Sequence, residues 1–330
     1  LSIVGAPIPE YMQGHAFLGQ KKSKDPEYAF MTRGRMDERY DISRAVRDQK
    51  YRYIRNYMPF RIYGQHLDYL FTAPSAKSWE TAYKEGKCNA VQSVFWQNKP
   101  VEELYDMEND PWEVHNLAAD PALREVLERM RKALTHWMVE IKDVGLIPET
   151  DYDRFAGGKS MYDYMRSDSC PLVLLIQASG WAILGGNDNA ALGVEYLNNS
   201  HSAIRYWGAT GLLIRKEAAR SAVPELIRAG EDPSAAVAAL AAEALWGLGE
   251  TQPAVEIYTR ILLDTITYDM TDRNFALNSI DATDCKNPEL MDTVRQFYME
   301  HKSSLTGFAR YNAYDALMCE WLLKKWKVLD

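Results

Sequence analysis

Between residues 200 and 260 the chain repeats itself. Ile204, Trp207, Ala209, Leu212 and Leu213 align with Val237, Leu240, Ala242, Leu245 and Trp246 at an offset of 33 residues, and Ala222-Val223 aligns with Ala254-Val255 at an offset of 32. A period of that length holds two helices, and one such pair cannot bury its apolar face without the next copy against it. Alanine at the aligned positions lets neighbouring backbones approach closely. From Cys170 onward the pattern predicts an all-α solenoid of about three to four helix pairs. Asp232-Pro233 reads as the opening of the second unit, an N-cap followed by a first-turn proline. Further helices are expected over 273–281, 289–301 and 307–325, where the repeat degrades as it does in capping units.

Before residue 150 the pattern is different. Residues 1–20 read as a loop punctuated by Pro7, Pro9, Gly14 and Gly19. Residues 28–36, 42–47, 51–57 and 101–107 read as strands, with a tight turn at Asp48-Gln49-Lys50. Tyr51, Tyr53, Arg55 and Tyr57 alternate with Arg52, Ile54 and Asn56, the period of two of a half-buried strand. Asp120-Pro121 starts a helix whose apolar stripe runs through Leu123, Val126, Leu127, Met130, Leu134, Trp137, Met138 and Ile141. The expected fold class is therefore α+β: a small antiparallel sheet with a packed helix over 1–150, a polar linker over 151–169, and the helical repeats over 170–330. A chain of 330 residues is long enough for two such domains.

Composition excludes several classes. No apolar run reaches the roughly 18 residues of a membrane span; the most apolar segment, 171–184, is broken by Gln177, Ser179 and Gly180. Cys88, Cys170, Cys285 and Cys319 form no CxxC pair, which argues against zinc and dithiol chemistry and for structural thiols, with one disulfide conceivable after export. The six histidines are scattered without metal-ligand spacing; His15 and His66 fall where a pocket could be bordered, and packing is their default role. The net charge of -8 argues against a nucleic-acid or general polyanion binder. Yet between Arg33 and Arg61 nine basic residues (Arg33, Arg35, Arg39, Arg44, Arg47, Lys50, Arg52, Arg55, Arg61) face four acids, Asp37, Glu38, Asp41 and Asp48. An anionic ligand near that segment is physically plausible.

Ordered motifs between residue 1 and about residue 145 carry a family resemblance. Residues 103–118, Glu103-Leu104-Tyr105-Asp106 through Asp110-Pro111 to Asn116-Leu117-Ala118, resemble the ELYDL-xx-DP-x-E-xx-NLA pattern near the end of the type I sulfatase fold. Ser43-Arg44-Ala45-Val46-Arg47-Asp48 with Tyr51-Arg52-Tyr53-Ile54-Arg55-Asn56 resembles that family's R-A-V-R-D-x-x-Y-K-Y-I-x-N strand pair. Leu1 to Pro9 resembles its LDLAG-x-P-x-P helix end, and Gln13 to Leu18 the x-G-x-S-L segment after it. The second half resembles HEAT repeats, above all from Asp232 to Leu245.

The resemblance implies a C-terminal portion, the sulfatase C-terminal subdomain, followed by a HEAT-like solenoid. A formylglycine-dependent sulfatase needs a Cys or Ser within C/S-x-P-S/A-R, matured to an aldehyde hydrate that attacks sulfur, and a divalent cation, usually calcium, on carboxylate ligands. Ser169-Cys170-Pro171-Leu172-Val173 lacks the required Ser-Arg, and no adjacent Asp-Asp pair occurs. No catalytic or metal residue is therefore assigned here; formylglycine and calcium are implied for an N-terminal sulfatase domain, the chain's expected partner. Leu1 reads as an unnatural start.

In the family the loop before the strand pair approaches the active-site mouth. Arg33 and Arg35 are accordingly candidates for holding sulfate or carboxylate, and Asp37 and Glu38 for accepting sugar hydroxyls; surface ion pairing is the bland alternative. The implied activity of the whole protein is hydrolysis of sulfate esters, or sulfamate, of a sulfated carbohydrate in the periplasm or outside the cell. The competing reading is a non-catalytic scaffold whose HEAT-like repeats bind a protein or glycan.

Overall fold

The computed structural model describes residues 1–186 and 190–329. Its close contacts divide the chain into two compact units that do not follow sequence order: Leu1–Met31, Arg44–Ile54 and Glu103–Leu134 form the first, and Thr32–Ser43, Arg55–Glu102 and Thr135–Asp330 the second. Segments from within 1–150 thus belong to the same unit as the helices after 170.

The four expected strands form, each slightly shorter than its sequence pattern: β1 (Ala29–Arg33), β2 (Ser43–Arg47), β3 (Tyr51–Asn56) and β4 (Glu102–Asp106). They make one antiparallel sheet in the order β1-β2-β3-β4. Sequential neighbours pair because each connection is a hairpin or a return loop. The turn between β2 and β3 closes as expected, with the Asp48 carboxylate accepting from the Lys50 and Tyr51 amides at 2.8 and 2.6 Å. Tyr53, Arg55 and Tyr57 are buried, but so is Asn56 from the opposite set, so the alternation breaks at the end of β3.

After β4 the first unit turns on side-chain caps. Asp106 accepts from the Glu108 and Asn109 amides. The Asp110 carboxylate accepts from His115 N–H at 2.7 Å. Asn116 Oδ1 accepts from the Leu104 and Ala118 amides, both at 3.0 Å, while Leu117 N–H donates to Leu104 O. The conspicuous acidic and amide residues of 103–118 therefore satisfy backbone groups that would otherwise be orphaned.

α1 (Pro74–Lys84) has no counterpart among the sequence expectations. α2 (Arg124–Ile141) forms after a single 3₁₀ turn, with Asp120 capping Ala122, and buries Leu127, Met130, Leu134 and Met138 from the expected stripe. The polar stretch 151–169 holds two short helices, and its Asp151 is fully buried, accepting from Ser202 Oγ at 2.5 Å.

The rest of the second unit is helical: α3 (Leu172–Leu184), α4 (Ala190–Leu197), α5 (Ser202–Arg215), α6 (Val223–Ala229), α7 (Ala235–Gly247), α8 (Thr251–Leu263), α9 (Met270–Thr283), α10 (Pro288–His301) and α11 (Tyr314–Lys325). α3, α5, α7, α9 and α11 each contact the next in that series, while α4, α6, α8 and α10 cover them from a second row. α7 touches α5, α6, α8 and α9 and is buried without a break from Ala235 to Leu245. With neighbours on all sides it has no solvent face, hence its alanine-rich sequence. Its N-cap is Ser234 and not Asp232. Asp232 instead accepts from Ser234 N–H and takes Arg205 in a two-pronged ion pair at 2.5 and 2.8 Å. Trp207, in α5, lies edge-on to Tyr57 at 5.7 Å and donates to Leu146 O at 2.8 Å.

All four cysteines are free thiols, Cys285 and Cys319 buried. Among the described residues no helix is long and apolar enough to cross a membrane.

Candidate functional site

β1 ends at Arg33, and the chain turns back within four residues. Met36 and Arg39 exchange both backbone hydrogen bonds at 2.8 Å, so Asp37 and Glu38 are the two-residue tip of a tight hairpin. Asp37 takes φ of 45°, the left-handed region that Asp tolerates better than most residues.

Arg33 is half-exposed and pairs with the buried Asp41 at 3.2 Å. Arg35 donates from Nε to Glu149 Oε2 at 2.5 Å and from Nη1 to Asp37 O at 2.8 Å, with its guanidinium 5.1 Å from the centre of the Tyr314 ring. Asp37 sits partly exposed at the tip. Glu38 is buried: one carboxylate oxygen accepts from Asp68 N–H at 2.6 Å, and its backbone carbonyl accepts from Asn274 and Asn278 of α9 at 3.1 and 2.8 Å. Burial pushes the Glu38 carboxyl above its usual range. Arg33, Arg35 and Asp37 thus present a polar ridge, and Glu38 pins the hairpin from below.

The other basic residues of the segment are largely occupied. Asp41 takes Lys99 at 2.5 Å with both side chains buried. Arg39 pairs with Asp281 at 2.7 Å. Arg61 makes a two-pronged pair with Glu243 of α7, Nη2 to Oε2 at 2.6 Å. In the first unit Lys50 faces Asp106 and Arg52 takes Glu113 at 2.6 Å. The local positive excess is balanced by acids distant in sequence.

Beside Glu38 lies a hollow of about 260 Å³ lined also by His66, Asp68, Lys77, Arg310 and Trp321. Arg310 grips Asp68 through Nε and Nη2 at 2.9 and 2.7 Å and reaches Glu320 at 3.0 Å. Those hydrogen bonds hold the Asp68 carboxyl below the usual range. His66 lies parallel to Trp321, ring centres 3.5 Å apart and planes 5° from parallel. Burial, reinforced by Arg39, lowers the His66 imidazole to about 3, so the ring stays neutral at any ordinary pH. Asp281 accepts from Arg39, Lys325 and Trp321 Nε1. Burial opposes its ionisation, but Arg39 and Lys325 together outweigh that and hold it at about 2.

The sequence reading singled out the loop before the strand pair and named His66 as a possible border residue, but it missed the hairpin form of that loop and Asp68, Arg310 and Trp321. They lie outside the motifs, and only the packing of α9 and α11 gathers them. Arrangements of this kind bind and orient; no nucleophile–base pair is present in the hollow. Among the described residues no group of three or more His, Cys, Asp or Glu is placed to hold a metal ion, so calcium does not fit the donor set here and no step runs through it.

No family model matches the chain. It is 41% identical over 152 residues to an ulvan-active sulfatase of Formosa agariphila, covering 46% of this chain and 26% of that relative. It is 32% identical over 150 residues to a second ulvan-active sulfatase of the same organism, covering 44% of this chain and 28% of the relative. The chain spans about a quarter of the length of these curated relatives, and nearly half of it is a sulfatase-related region.

Proposed function

We propose that this chain is the C-terminal portion of a formylglycine-dependent sulfatase that hydrolyses sulfate esters, or sulfamate, of a sulfated carbohydrate in the periplasm or outside the cell. One observation carries this reading: 41% identity to an ulvan-active sulfatase over 152 residues. In this reading formylglycine and calcium belong to the N-terminal catalytic domain. The hairpin after β1 forms one wall of the substrate pocket. Arg33 and Arg35 hold sulfate or carboxylate groups, Asp37 accepts a sugar hydroxyl, and buried Glu38 fixes the tip while edging the hollow. Guanidinium forks suit such oxyanions, and Arg35, clamped at Nε and Nη1, is already oriented. The helical rows act as a HEAT-like buttress behind that wall.

The test joins the chain to its own upstream coding sequence and measures sulfate release from ulvan oligosaccharides. Release is expected for the joined protein and none for residues 1–330 alone. Arg35→Ala is expected to lower kcat/KM by about tenfold or more, chiefly through transition-state and substrate anchoring. An upstream sequence without C/S-x-P-S/A-R, or a joined protein inert towards every sulfated carbohydrate, overturns the reading in favour of a scaffold.

A further inference from the structure

Next to the hollow, and sharing His66, Trp321 and Lys324 with it, the second unit holds a larger cleft of about 600 Å³, within the ~300–1,000 Å³ typical of ligand sites. None of the four hairpin residues lines it. Part of its lining is aromatic and rigid. Trp96 packs edge-on to Phe71, Trp79 and Phe95, and Trp79 stacks on Phe95 at 4.7 Å. Gly64 is required there, because a Cβ would come within 2.8 Å of the Phe95 and Trp96 rings. Opposite in character is the C-terminal helix α11 and its end, which contribute Trp321, Lys324, Lys325 and Lys327.

The charges divide by availability. Arg61 and Lys325 are committed to Glu243 and Asp281. Lys84 and Lys324 make only exposed i,i+4 pairs, with Glu80 at 2.8 Å and Glu320 at 2.9 Å; their side chains are 63% and 48% exposed. Such pairs are weak and screened by water, so these ammonium groups turn to an external anion at little cost. Lys327 has no carboxylate partner among the described residues and sits at φ of 61°. Exposed positive heads beside the Trp321 ring, which His66 backs, fit one kind of ligand. Sugar rings offer apolar faces to aromatic surfaces, and their sulfate or carboxylate substituents suit lysine.

We propose that this cleft binds an anionic saccharide chain, with a ring laid on Trp321, whose other face His66 covers, and its charged groups held by Lys84, Lys324 and Lys327. Binding here needs no catalysis, so it stands or falls separately from the sulfatase reading.

The test is calorimetric titration of the full chain with a heparin tetrasaccharide, its desulfated counterpart, inorganic sulfate and tripolyphosphate, an anion without sugar rings. The heparin tetrasaccharide is expected to bind, to weaken as salt rises, and to bind about tenfold or more tighter than each of the other three. The double variant Lys324→Glu/Lys327→Glu alters two exposed side chains and is expected to keep its circular dichroism spectrum and lose about tenfold in affinity. Absence of binding, equal binding by the desulfated sugar, by sulfate or by tripolyphosphate, or unchanged binding by the folded double variant overturns the proposal.

Discussion

Two basic stretches of this chain invite the same interpretation and have opposite environments. Arg39 and Arg61, from the segment 33–61, are buried against carboxylates of α9 and α7. Lys324 and Lys327, at the other end of the chain, stand in solvent at the edge of a cleft. Sequence charge is the same kind of signal in both. Its meaning depends on where the acids are, and those acids, Glu243 and Asp281, lie far along the chain from the arginines they neutralise. A buried pair is structural because separating it strands a charge; an exposed lysine is free to serve a ligand.

The strongest way to break this contrast is to cut a buried pair of that segment. Glu243→Ala leaves the Arg61 guanidinium, 3% exposed, without its partner inside the helical rows. A loss of about 3–5 kcal/mol is expected, read as a drop in the urea midpoint at unchanged m-value. A loss below about 1 kcal/mol would place Arg61 in solvent and collapse the distinction. Asp281→Ala should cost less, about 1.5–3 kcal/mol, since Asp281 keeps 14% of its side chain in water. It too strands Arg39, and urea denaturation again measures it.

These pairs also explain how far the sequence was legible. Local residue patterns located β1 to β4, with period-two alternation over 51–57, and the 3.6-residue stripe located α2, because such patterns are local. Asp37 and Glu38 were singled out as loop residues through the neighbouring motif, not as a hairpin. Its anchors, Asp68, Asn274 and Asn278, come from remote positions that no single-sequence period connects. α1 escaped notice because none of its residues is buried. Its Trp79 and Tyr83 lie against Phe95 and Trp96 in a satellite aromatic cluster, so no aliphatic stripe marks it. Asp232 looked like an N-cap, and Arg205 claimed it instead.

Acid sharpens the comparison on the side of the buried groups. His66 at about 3 and His201 at about 4 are both depressed by burial from an unfolded value near 6.5. The unfolded chain therefore binds their protons first. Their stabilising contribution is complete above pH 6.5 and is lost as pH falls toward 4. Asp272 acts the other way: burial raises it to about 7, so it takes a proton in the folded state and gains stability as pH falls through that value. Between pH 6.5 and 4 each histidine lowers the stability read from the urea midpoint by about 1.4 kcal/mol per unit, against Asp272 and the likewise raised Glu38 and Asp151. His66→Gln should flatten that slope, and Asp272→Asn should steepen it. A His66→Gln variant with the parent's pH dependence would mean that the His66 ring is solvated.

The smallest expected effect lies on the exposed side and has the opposite sign. α11 ends with Lys327 N–H donating to Lys324 O at 3.0 Å and Val328 N–H to Leu323 O at 2.8 Å, the two bonds of a Schellman motif. The residue between those bonds and the tail must take positive φ, and glycine does so without strain. Here it is lysine, at 61°. Lys327→Gly should therefore raise stability by about 0.5–1 kcal/mol, since it removes a left-handed side chain and no ion pair. If Lys327 sits there only by chance, the variant gains stability and loses nothing. If its ammonium serves the cleft, the same variant is more stable and binds the heparin tetrasaccharide more weakly. Measuring the urea midpoint and the affinity on one preparation separates the two.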